Sequence, residues 1–114
     1  MQPTEERARE VGKRQSLSRE VNERIEELSE DFELLDEMEI MCECGYDSCN
    51  ERIVLSEAQY EALRRIPTHF AVLAGHEIPR VERVVERDSG FIVVEKIGAS
   101  AIVAVKLDPR RTKQ

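Results

Sequence analysis

The chain has 114 residues, with 17 Lys and Arg against 24 Asp and Glu, and a formal net charge of −7. That length suits one domain with a modest core, and an acidic surface repels phosphate backbones, which argues against a general nucleic-acid binder. Two Tyr, three Phe and no Trp supply no platform for stacked bases.

No segment approaches the roughly 18 consecutive apolar residues of a membrane helix. Residues 1–15 hold no apolar stretch of the kind a secretory leader needs. The sequence therefore predicts a soluble, cytoplasmic protein. Its organisation reads as a mobile arm over 1–17, a single zinc-binding α+β domain over 18–106, and a disordered basic tail over 107–114.

Val21, Ile25, Leu28, Phe32 and Leu35 recur at spacings of four and three, the period of an amphipathic helix. Ser16 or Ser18 suits its N-cap. This stripe predicts a helix packed on its own domain, or a seam with a protein partner or a second copy. Residues 26–39 then carry eight acids and no base.

Met38, Ile40 and Cys42 alternate with polar neighbours, as a half-buried strand requires, and Arg52–Leu55 reads as its antiparallel return. The segment between them, CECGYDSC, lies at the tip of this hairpin. Ser56 and Gln59 form a capping box that starts a short helix, with Tyr60, Leu63 and Ile66 inward. Pro67 ends it, because the residue before a proline is pushed out of the helical region.

Phe70–Leu73 reads as a strand that delivers Gly75, His76 and Glu77. Val81–Arg87 and Phe91–Lys96 are two more strands, joined at Asp88-Ser89-Gly90. Ala101–Val105 reads as a last strand or part of an interface. The fold class is α+β, with an N-terminal amphipathic helix, a zinc-tipped β-hairpin, a short helix and an antiparallel sheet.

The three cysteines of the chain, Cys42, Cys44 and Cys49, fall within eight residues. An odd number cannot pair fully within one chain, and in a reducing compartment clustered thiols point to metal or thiol chemistry. Cys42 and Cys44, at i and i+2, share one side of a strand. Gly45 lets the chain turn, and Cys49 returns. Zinc favours tetrahedral thiolate and imidazole ligands. His76, behind a glycine at a strand end, is the better fourth ligand, with His69, Asp47 or a water as alternatives. Buried, inert thiols are the plain competing reading.

Glu77 is the one carboxylate placed to act as a general base, although a surface role is simpler. Glu43, Glu51 and Glu57 read as solvated. The chain carries no P-loop, GxGxxG, HExxH or GxSxG pattern.

The segments REVNERI (19–25), CECGYDSC (42–49), RIVLSEAQYEALRRIPTHFAV (52–72), GHEIPRVERVVER (75–87) and FIVVEK (91–96) resemble a family of small uncharacterised actinobacterial proteins. The resemblance covers residues 19–97. It implies that Cys42, Cys44, Cys49 and His76 belong together and leaves His69 out. It implies no activity.

The function expected from these features is a small zinc-stabilised interaction or regulatory module without catalytic activity. The alternatives are a zinc-thiolate redox or metal sensor, then a zinc hydrolase using Glu77, then a nucleic-acid binder built on Arg80, Arg83, Arg87, Arg110 and Arg111.

Overall fold

The computed structural model describes residues 3–32, 37–46 and 49–112. Helix α1 (Pro3–Phe32) leads into strands β1 (Glu37–Met41) and β2 (Arg52–Ser56), then α2 (Glu57–Arg64) and β3 (His69–Val72). Strands β4 (Glu82–Arg87) and β5 (Ile92–Lys96), helix α3 (Gly98–Lys106) and a 3-10 turn (Pro109–Thr112) complete it. The class is α+β, as the sequence predicts.

The hairpin pairs antiparallel, with Met38 opposite Leu55 and Ile40 opposite Ile53. These four side chains are buried while their neighbours face out, so the period-2 pattern fixed both strands and register. A second, three-stranded antiparallel sheet runs β3-β5-β4. Its central strand, β5, buries Ile92, Val93 and Val94. Helix α2 starts at the expected capping box: Ser56 Oγ accepts from Gln59 N at 3.0 Å, and Gln59 Oε1 accepts from Ser56 N at 2.8 Å. Tyr60 and Leu63 are buried beneath it, but Ile66 is exposed.

Four expectations need correction. Helix α1 starts at Pro3, well before Ser16 and Ser18, so the segment expected to be an arm is helical and its residues Gly12, Gln15 and Ser16 are packed. Ala101–Val105 lies within α3 and is no strand. Its Val103 sits so close to Gly12 that a Cβ there would come within 3.0 Å of Val103 Cγ1. The basic tail is held at its start. Asp108 accepts from Arg64 Nη2, and Arg110 reaches Glu23, Glu26 and Glu61 at 2.7, 3.0 and 2.6 Å.

The fourth is the own-domain reading of the α1 stripe: among its described side chains, Val21 and Leu28 are exposed and Ile25 packs against the core. Leu35 and the side chain of Phe32 lie outside the described residues. The inward face instead carries Gln15, Arg19, Asn22, Glu23 and Glu26. Each meets a polar partner. Gln15 donates to Glu82, which also binds Lys96 at 2.5 Å. Glu23 accepts from Tyr60 Oη at 2.6 Å and from Arg64 Nε at 3.2 Å. Buried charges are tolerated only when paired and hydrogen-bonded, and this helix docks through such pairs.

Candidate metal centre

The hairpin tip, the loop after β3 and the side of α1 meet at the cysteine segment. Backbone bonds close the tip: Cys42 N donates to Glu51 O at 3.0 Å, and Cys49 N to Tyr46 O at 3.1 Å. Gly45 turns the chain with φ +83°, a left-handed conformation that glycine adopts without strain. A Cβ at Gly45 would lie 2.9 Å from Val11 Cγ1, so α1 packs directly against this turn. His76 is carried in by the turn after β3, where its amide donates to Leu73 O at 2.9 Å.

Cys42, Cys44, Cys49 and His76 come together, with one donor atom from each all within 4.8 Å of one another. His76 Nδ1 lies 3.7 Å from Cys42 Sγ and 3.6 Å from Cys49 Sγ. A tetrahedral zinc, with Zn–S about 2.3 Å and Zn–N about 2.0–2.1 Å, requires S···N separations of about 3.6 Å. The donor set and these two S···N distances therefore fit such an ion. Cys42 and Cys44 are buried, while Cys49 and His76 are half-buried and form the outer side. The Tyr46 and His76 rings meet in a T-shaped arrangement, their centroids 6.0 Å apart.

The thiols are in electrostatic conflict. Cys44 is lowered to about 5, first by the hydrogen bond it receives from Cys42 and further by the Tyr46 backbone amide. The same bond, and then burial, pushes Cys42 up. Burial raises Cys49, opposed by a backbone hydrogen bond at Glu51. One sulfur can thus ionise readily, whereas three adjacent thiolates need a cation between them. Leu73 N also donates to Cys42 Sγ, at 3.3 Å.

Other residues expected near this chemistry have different roles. His69 faces Glu95, with Nε2 to Oε2 at 3.4 Å, and does not belong to the cluster. Glu77 accepts from Gly75 N at 2.7 Å and so braces its own turn. Asp47 lies outside the described residues.

Glu43, expected to be solvated, is fully buried. Its carboxylate accepts from Arg19 Nη2 at 2.9 Å, Arg19 Nε at 3.3 Å, Asn22 Nδ2 at 2.9 Å and Ala71 N at 3.0 Å. Arg19 also donates to His69 O and stacks over Phe70, 3.8 Å from its centroid. The residue between the first two cysteines therefore fastens the cysteine segment to α1 and β3. Only the polar positions of α1 at 19 and 22, spaced i and i+3, hint at this in the sequence.

Comparison with protein-family models, curated proteins and solved structures finds no significant match. Among the described residues, no helix is long and apolar enough to cross a membrane.

Proposed function

We propose that this chain is a small zinc-stabilised module that works by binding protein and does no chemistry at its metal. The observation that carries this reading is the closed donor set: three sulfurs and one imidazole nitrogen within 4.8 Å, two of the cysteines buried. Four protein ligands complete a tetrahedral sphere and leave no position for a water or a substrate. Three thiolates also blunt the ion's acidity. Glu77 Oε1 accepts from Gly75 N in its own turn, which suits a structural role for this carboxylate.

The same four residues are grouped by the resemblance to small actinobacterial proteins, and a reducing cytoplasm would keep these thiols available for metal. Nucleic-acid binding is further disfavoured, because Arg83 pairs with Glu95, and Arg110 pairs with Glu23 and Glu61 and also bonds Glu26. The exposed apolar side chains of α1 are the natural surface for a protein partner.

The test is metal removal. Chelation should lower the melting temperature, and zinc should restore it, because the affinity for metal appears as folding free energy. A stripped protein with unchanged melting, or a hydrolytic activity that vanishes in Glu77→Gln while metal stays bound, would overturn the reading. The half-buried position of Cys49 favours a second reading, a thiol-based sensor. Reversible zinc release on mild peroxide treatment, abolished in Cys49→Ser, would support it.

A further inference from the structure

Helix α1 is amphipathic in the reverse sense. A helix that serves only its own domain turns its apolar stripe inward. Here the inward face is polar and ion-paired, and the apolar side chains point to solvent: Leu17, Val21 and Leu28 are 62, 49 and 57% exposed. At 3.6 residues per turn these three fall within about 40° of one another, one straight line along the helix. Beside Leu17 a groove opens between α1 and the end of α3, lined by Lys13, Ser16, Leu17, Glu20 and Leu107. The helix is also polarised in charge. Its first half, residues 3–17, holds four bases and three acids, and its second half, residues 18–32, holds two bases and six acids.

We propose that the partner of this face is a second copy of the chain, with the two α1 helices packed antiparallel. The proposal deepens the interaction reading above by naming the partner. A two-fold axis between Val21 and Arg24 sets Leu17 of one copy level with Leu28 of the second. Each Leu28 then enters the groove beside Leu17 and Leu107 of the other copy. The same register brings Arg14 level with Asp31 of the second copy, so the slightly basic first half of each helix faces the acidic second half of its mate. Parallel pairing would instead oppose Arg24 to Arg24 and acid to acid, and like charges across a seam disfavour it. Opposed helix dipoles favour the antiparallel arrangement as well.

The experiment is sedimentation equilibrium on the full chain across a concentration series, with metal content and far-UV circular dichroism read on each sample. Wild type should show twice the 13.1 kDa chain mass. Leu17→Glu and Leu28→Lys, both at exposed positions, should each weaken the dimer at least tenfold without changing helicity or metal content. Combined in one chain they should recover most of that loss, because antiparallel pairing places Glu at 17 against Lys at 28 twice. A wild type that stays monomeric, single variants that dimerise normally, or a double variant that stays monomeric would each overturn the proposal. A monomer that still holds its metal would refute only the dimer. A dimer without metal would refute only the zinc reading.

Discussion

The Arg19–Glu43 pair gives the sharpest test of how the metal segment is held. Arg19 is 1% exposed and Glu43 0%, and the guanidinium supplies two of the four hydrogen bonds on that carboxylate. Arg19→Ala leaves the Glu43 charge buried with only Asn22 and Ala71 N as donors, and also uncovers the face of Phe70. Removing one partner of a buried ion pair costs about 3–5 kcal/mol. At about 4 °C per kcal/mol for a domain of this size, the melting temperature should fall on the order of 12–20 °C. Calorimetry on protein of known metal content reads this directly. Glu43→Ala should cost a similar amount, and the double variant less than the sum of the two, since contacting residues couple by about 0.5–3 kcal/mol. A fall below roughly 4 °C for Arg19→Ala, about 1 kcal/mol, would refute the idea that α1 is fastened to the cysteine segment through this carboxylate.

Gly45→Ala forces a left-handed backbone and a contact with Val11, so it should destabilise by about 1–3 kcal/mol in a urea titration. Lys96→Met strands Glu82 in the core and should cost about 3–5 kcal/mol by the same assay. Glu26 is raised to about 8, chiefly by burial and by the neighbouring Glu61, and its Oε2 has no hydrogen-bond partner. A carboxyl raised in the folded state binds its proton more tightly there, so its contribution is complete below about 4.5, its ordinary value, and is lost as pH rises through 8. Glu26→Gln should therefore flatten the fall in stability between those limits, and an unchanged pH profile would contradict the assignment. Cys44→Ser should melt like the chelator-stripped protein, as read by hydrogen exchange over the hairpin and the His76 turn.

What the sequence disclosed follows from which forces leave a local mark. Alternation in Met38, Ile40, Ile53 and Leu55 marked the hairpin, and Ser56 with Gln59 marked the start of α2, because both patterns are satisfied within a few residues. The cysteines and His76 were legible because ligand chemistry restricts residue type. The docking of α1 was not. Its buried face is made of Gln15, Arg19, Asn22, Glu23 and Glu26, whose partners lie 19 to 87 positions away in the chain. A polar residue paired at that distance looks solvated in one sequence, so Glu43 reads as a surface carboxylate and Arg110 as part of a loose tail. The exposed stripe of α1 misled for the complementary reason: apolar periodicity announces a packing face without saying which molecule covers it. Ala101–Val105 is ambiguous in the sequence because a short apolar run lacks a period, and the structure places it within helix α3.

X-ray absorption at the zinc edge, on protein purified without chelator and with metal quantified, tests the central claim most directly. The account predicts one zinc per chain, with three sulfurs at about 2.3 Å and one nitrogen at about 2.0–2.1 Å. A chain free of stoichiometric metal, or a first coordination sphere containing a water oxygen in place of the His76 nitrogen, would contradict it.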